Sequence, residues 1–417
     1  MSRIERLATL EAAYLDARDA RDRLDVARAT GAPSDPTDLE LEAAVTEAEV
    51  RTALAAMDGE PDDQTDDADG AAVDDERAVD AIRTAIEDGF DGDVGLPVSP
   101  PISRADRDNP AAWAQAIGAG GTALRSRLVA CYGAIADDLR VDREVLTRPR
   151  ILARLAAEPD AQRRRSLFLA LEPLWRTVDG DSGAASPYRA LIRESAGRWG
   201  AGDSPIAANE AALGLEAGDV ERWATGTLDA WREAVTAPAM DRGEPPLEPW
   251  DWWWRAGEAE RALEASLPLE RVFDINRRVH RSLGADLHAL DVHFDTSPRA
   301  GRPAVPVAFT TFGARPRRRV DGTWSPGRPT VLATYVDGGL GDLTELVHET
   351  GHAIHIAAIR TRPAFTDWPD SDALTEALAE LVSLDTAEPA WQQRWIDGAP
   401  AVATHTAIRA RYAEVAL

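Results

Sequence analysis

A chain of 417 residues, 44% hydrophobic and 28% charged, can bury a sizeable core, which sets it apart from disordered proteins and allows one large helical domain or two to three average ones. Its 72 acidic residues face 46 basic ones for a net charge of −26, and such a surface repels nucleic acid and anionic membranes, excluding both as expected partners. All 46 basic residues are Arg, a pattern that fits a halophilic protein in a high-salt cytoplasm, where screening tolerates self-repulsion. The single Cys131 forms no internal disulfide and fits a reducing compartment. Residues 1–18 alternate charge with apolar residues and lack the apolar stretch of a signal peptide, so the expected location is cytoplasmic.

In chain order, Ile4, Leu7, Leu10, Ala13 and Tyr14 recur at helical spacing, and Gly31-Ala32-Pro33 breaks the run. Residues 4–30 and 37–57 are therefore predicted to form a helical hairpin, making 1–57 an N-terminal segment. The Asp/Gly/Ala-rich stretch 58–78 has almost no large apolar residue and reads as an acidic linker with a domain boundary. From 79 to 240 the pattern is helical, punctuated by Pro and Gly at 97–101, 179–187 and 200–205. Val305–Phe312 and Thr330–Val336 are short and β-branched or aromatic, which predicts two strands joined by the loop 313–328.

The strongest chemical signal is His348-Glu349-Thr350-Gly351-His352. Asp342 is predicted to cap a helix with Glu345 as its third residue, and Leu346, Val347, Ile354, Ala357 and Ile359 follow at helical spacing until Pro363. Residues four apart share one helix face, so His348 and His352 can direct two imidazoles at one metal ion, while Glu349 projects about 100° around the axis. A bound ion acidifies water and polarises a carbonyl, and the neighbouring carboxylate carries the proton to a leaving amine. A third ligand is needed with a fourth position left open. His355 and Ala358 do not fit the metzincin spacing, whereas a second helix, Asp372–Asp385, presents Glu376 and Glu380 four apart. Glu376 is the expected third ligand; Glu380 can accept the other ring N–H of a ligating histidine.

These residues resemble the M3 family of zinc metallopeptidases, the gluzincin group of thimet oligopeptidase and oligoendopeptidase F. His348-Glu-Thr-Gly-His-Ala-Ile-His355 matches the family's His-Glu-x-Gly-His-x-x-His, and Glu376 within Thr375-Glu376-Ala377 stands where the family places its third ligand. Pro249-Trp250-Asp251-Trp252-Trp253-Trp254 is similar to the family's Pro-Trp-Asp-x-x-Tyr-Tyr, and Phe294-Asp295 through Val307-Ala308-Phe309, with Val331–Val336, is similar to the segments before its active-site helix. The resemblance covers residues 100–385, more strongly after 245. It implies a mainly α fold, a large helical zincin-like domain with a small β-sheet before the metal helix, and residues 241–417 as the catalytic region. It also implies one Zn2+ per chain, short peptides as substrates, and an edge strand, expected at Val331–Val336, that aligns an extended peptide. The family's Tyr- and His-containing segment lies well beyond the third ligand, and this chain reads as shortened there, with His405 and Tyr412 as the candidates for oxyanion donors.

The expected function is thus a zinc-dependent endopeptidase with Glu349 as its base; the alternative is a zinc-containing pseudo-enzyme that binds peptide or protein without efficient turnover. The Trp250–Trp254 cluster reads as core in preference to a substrate cleft. The run Arg315, Arg317, Arg318 and Arg319 reads as a solvated loop in preference to a grip on a terminal carboxylate. His280, His288 and His293 lack metal spacing and read as ordinary histidines.

Overall fold

Two long helices open the chain, α1 (Arg3–Thr30) and α2 (Thr37–Asp58), at the positions that the apolar spacing predicts. The computed structural model describes residues 2–30, 37–58, 69–87, 135–136, 138–179, 188–189, 205–212, 214–241, 248–297, 305, 308–319, 321–335, 338–366 and 372–399. Among the described residues, helix accounts for 69% and strand for 7%, a mainly α fold with small sheets. No described helix is long and apolar enough to cross a membrane.

A third helix, α3 (Asp69–Glu87), takes over much of the stretch expected to be linker. The linker expectation thus fails for residues 69–78, while 59–68 lie outside the described residues: Ala78, Val79 and Ile82 are buried in the cluster that includes α1, with Ala81, Ala85 and Ile86 partly buried against it. The region 79–240 is likewise not purely helical. Leu139–Val141 (β1) and Glu144–Leu146 (β2) pair antiparallel with Leu139 opposite Leu146, and Asp142 turns the chain at a left-handed φ of 56°. Alternation in Leu139-Arg140-Val141, together with buried Leu146, carries that hairpin, with Asp at a position it tolerates better than most residues. Helices α4 (Arg148–Ala157) and α5 (Ala161–Leu169) follow, capped by the Thr147 and Asp160 side chains, the latter accepting Arg163 N–H at 2.8 Å. Then come α6 (Glu172–Asp179), α7 (Pro205–Ala212), α8 (Asp219–Asp241), α9 (Trp252–Ala256), α10 (Glu258–Leu263) and α11 (Leu269–Ser282).

The chain forms two compact units, 1–96 with 263–399 and 97–262 with 400–417. This grouping differs from the expected segments, since the N-terminal hairpin shares a unit with residues 263–399. In the second unit, Leu139, Val141, Leu146, Ile151, Leu155, Leu167, Leu171 and Leu174 form the core, and half-buried Trp253 packs on it. The neighbouring tryptophans are half-buried and make ring contacts of their own: Trp250 meets Phe168 at 6.5 Å, Trp252 meets Trp231 at 6.1 Å, and Arg261 stacks on Trp254 at 3.6 Å. Asp251 accepts from buried Arg164 at 2.6 and 2.9 Å, so the acid of the Pro-Trp-Asp motif is a structural anchor here.

In the first unit, the face of α1 changes character along its length. Leu7, Leu10 and Tyr14 pack with Val50, Val79, Ile82 and Ala364, each large side chain contributing about 1.5–3 kcal/mol of burial. One turn further, Asp16, Asp19 and Asp22 take the same role with charge. Arg315, 1% exposed, reaches Asp22 at 2.8 Å and Asp19 at 3.1 Å and lies over Phe312 at 4.3 Å; Arg317 reaches Asp19 at 2.7 Å and Asp16 at 2.9 Å. The solvated-loop reading therefore holds for exposed Arg318 and Arg319 and fails for Arg315, whose guanidinium is a buried clamp between the loop and α1. Arg362 makes a similar tie to Glu11 and, at 2.7 Å, to Asp75 of α3.

Strands β3 (His293–Asp295), β4 (Phe309–Thr311) and β7 (Thr330–Leu332) form a sheet in the order β3-β7-β4, while β5 (Arg317–Arg318) and β6 (Trp324–Ser325) form a hairpin inside the expected loop. β7 runs parallel to β3, with Val331 opposite Phe294, and antiparallel to β4, with Val331 opposite Thr310. The expected edge at Val331–Val336 is thus corrected: β7 is central, consistent with fully buried Val331 and Leu332, and the edge next to the metal helix is β4. Val336 itself lies outside the described residues.

Helix α12 (Leu340–Ala358) carries the motif, α13 (Asp372–Ser383) follows it, and α14 (Pro389–Trp395) is the last described helix. α12 starts two residues before the expected cap. Gly339 at φ 103° is the N-cap, and Asp342 sits in the first turn, its carboxylate accepting Gly338 N–H at 3.2 Å. Gly338 is required there, since a Cβ would come within 2.5 Å of the Leu267 carbonyl.

Candidate metal centre

Helix α12 is buried along Leu343, Leu346, Val347, Ala353, Ile356 and Ala357, and this face fixes its rotation. From the back, the Asn276 amide of α11 donates to the Thr350 hydroxyl at 2.9 Å, which donates in turn to the Leu346 carbonyl at 2.6 Å. The buried ring of His280 lies against the backbone of Val347, and burial pushes its pKa down to about 4, so it stays neutral. His280 is thus structural, as expected; His288 and His293 are exposed.

With α12 so held, His348 and His352 stand one turn apart with their Nε2 atoms 3.1 Å from each other. Glu376 of α13 completes the group: its Oε2 lies 3.3 Å from His348 Nε2 and 3.5 Å from His352 Nε2. Three ligands bound at about 2.0–2.1 Å around a tetrahedral ion are about 3.3–3.4 Å apart, so the observed edges match such a cage. His348, His352 and Glu376 can therefore hold a metal ion. Burial keeps the His352 pKa below its ordinary value, against the pull of Glu376, and the neutral imidazole is the form that ligates. His355, expected only as part of the wider motif, is also lowered by burial and is not in the group.

The ligands differ in exposure, and the difference describes the site. The imidazoles are 18% and 12% exposed while the Glu376 side chain is 60% exposed, so the cage opens to solvent on the α13 side. Glu380 lies on that side too, but its Oε1 is 3.9 Å from His348 Nδ1, too long for the expected hydrogen bond, and its other oxygen accepts from Ser383 Oγ at 3.1 Å.

Glu349, 7% exposed, turns toward β4. Burial raises its pKa, and the Thr310 hydroxyl opposes that rise by donating to Oε2 at 2.7 Å. One turn earlier, Glu345 accepts Ala308 N–H at 3.4 Å, so two carboxylates of α12 face the strand. Thr310 and Asn276 were not singled out from the sequence; a Thr in a β-branched strand or an Asn in a helix carries no local sign of its distant partner. His405 and Tyr412 lie outside the described residues.

Gly351 explains how α13 comes close enough to supply Glu376. A Cβ at 351 would lie 3.1 Å from Ala379 Cα and 3.4 Å from Ala379 Cβ, so a glycine faces a buried alanine where the helices cross. Gly351→Val forces backbone apart and is expected to weaken metal binding about 10- to 100-fold, the usual effect of disturbing a ligand's support. Competition titration against a chromogenic chelator, with helicity checked by circular dichroism, measures this; unchanged affinity would show that the crossing does not set the position of Glu376.

No protein-family model matches the chain, and no curated protein matches it. The functional reading therefore rests on the chemistry of the site itself.

Proposed function

We propose that the chain is a zinc-dependent endopeptidase acting on short peptides, with His348, His352 and Glu376 as ligands and Glu349 as general base. The observation that carries this reading is the convergence of two imidazoles and a carboxylate at 3.1, 3.3 and 3.5 Å beside a buried second carboxylate. Two nitrogens and one oxygen in tetrahedral spacing suit zinc, whereas calcium and magnesium take more ligands and prefer oxygen alone. When bound, zinc supplies Lewis acidity that lowers the pKa of water and polarises the scissile carbonyl.

The protein's own residues do the rest. Glu349 is not among the ligands, so its carboxylate is free to accept a proton from the attacking water and deliver it to the leaving amine. Burial brings its proton affinity toward what that exchange needs, while Thr310 keeps the ionised form accessible. Among the described residues β4 is an edge strand, which offers backbone groups to an extended peptide, and the exposed side of the cage leaves room for one.

The test is digestion of a quenched fluorogenic peptide library in high salt, with metal analysis of the same sample. The expected result is about one zinc per chain and cleavage that a chelator removes and zinc restores. Bound zinc with background cleavage across the library would sink the peptidase reading and favour a peptide-binding protein.

A further inference from the structure

We propose that Thr310 is a positioning residue that tethers the Glu349 carboxylate in its working orientation, an inference that rests on Glu349 being the base. Thr310 lies on the edge strand β4, opposite Val331 of the central strand, so its backbone is fixed by the sheet and not by α12. Its hydroxyl oxygen sits 2.7 Å from Glu349 Oε2 and 2.9 Å from the Glu349 carbonyl. The single hydroxyl proton can be given to one of these acceptors at a time, the carboxylate at the shorter distance or the carbonyl, and both keep the hydroxyl beside this turn of the helix. A Glu side chain has three rotatable bonds, and a buried one that must meet both a water and a leaving amine gains from a fixed donor at one oxygen, which leaves the second oxygen for the proton.

The adjacent threonine shows that this is a matter of face and not of composition. Strand alternation sends Thr311 the other way, where its hydroxyl accepts Gly313 N–H at 3.2 Å and closes the turn that leaves β4. Two consecutive threonines of like propensity therefore do different work, one toward the site and one toward the loop. Thr310→Val keeps shape and β-branching and removes the donor; Thr310→Ser keeps the donor; Thr311→Val removes the other hydroxyl.

With full-length, zinc-loaded protein, Thr310→Val is expected to lower kcat about 10- to 100-fold with KM and zinc content unchanged, the pattern of an interaction realised in the transition state. Thr310→Ser is expected to rescue most of that loss, and Thr311→Val to leave turnover within about threefold. Crystal structures of the zinc-loaded variants give a second readout: the Glu349 carboxylate leaves its position in Thr310→Val and keeps it in Thr310→Ser. Wild-type kcat in Thr310→Val, an equal fall in Thr310→Ser or Thr311→Val, or a fall that follows lost zinc would overturn the inference. Should the wild type cleave nothing, the peptidase reading fails, and an unmoved Glu349 carboxylate in Thr310→Val would then reject the tether as well.

Discussion

Glu349→Gln is expected to bind as much zinc as the wild type, about one per chain on the proposed reading, and to lose about 10²- to 10⁴-fold in kcat, the range associated with a positioned general base. The substitution is close to isosteric, and the Gln oxygen can still accept the Thr310 hydroxyl that reaches Oε2 at 2.7 Å. Geometry is therefore kept and basicity removed. The carboxylate is 7% exposed and lies outside the ligand group, so the substitution removes no ligand from the metal. KM should stay near the wild-type value while kcat and kcat/KM fall together, the signature of an interaction made in the transition state. Steady-state kinetics on a single fluorogenic peptide, with metal analysis of each preparation, separates the cases. Undiminished turnover would remove Glu349 from its role, and loss of zinc would mean that the ligand group is misassigned.

Much of this centre was legible in the sequence because it is written in helix periodicity. His348 and His352 sit four apart on a segment whose buried positions, Leu346, Val347, Ala353 and Ala357, repeat at the same period, and helix α12 ends at Ala358, ahead of Pro363. Glu376 was found the same way, by its place on the next helix. The opening helices were legible for the same reason. What periodicity cannot carry is the identity of a partner far along the chain. Thr310 bonds a residue 39 positions later, Asn276 one 74 later, and Arg315 two residues nearly 300 earlier, and in none of them does the local pattern differ from that of a surface or core residue. Sheet order is equally non-local: Val331 and Leu332 look like any β-branched or apolar strand until β3 and β4 pair on both sides. Composition misled where α3 begins, because its first residues are Asp, Gly and Ala like a linker's and its large buried residues, Val79 and Ile82, come only after them.

The acidic surface makes the buried Arg315 clamp the stability feature with the largest expected effect. Arg315 is 1% exposed, and its two carboxylate partners are 7% and 10% exposed, so removing the cation leaves negative charge inside the unit. Breaking a buried pair by deleting one partner costs about 3–5 kcal/mol, against about 0–1 kcal/mol for an exposed pair. Asp19 retains Arg317 at 2.7 Å and the backbone N–H of residue 315 at 3.1 Å, which places Arg315→Met near the lower end, about 3 kcal/mol. The exposed pair Arg328–Asp291, 69% and 60% exposed at 2.7 Å, is the internal control, and Arg328→Ala is expected to cost under about 1 kcal/mol. Urea unfolding measures both. Salt distinguishes them further, because molar salt shortens the screening length to about 3 Å and weakens exposed pairs much more than buried ones. The Arg315→Met loss should therefore persist in high salt, and adding Asp22→Asn to it should recover part of the stability, since one of the two buried carboxylates that faced the cation is then neutral. Equal losses from Arg315→Met and Arg328→Ala, or a loss that vanishes in high salt, would reduce the clamp to an ordinary surface contact.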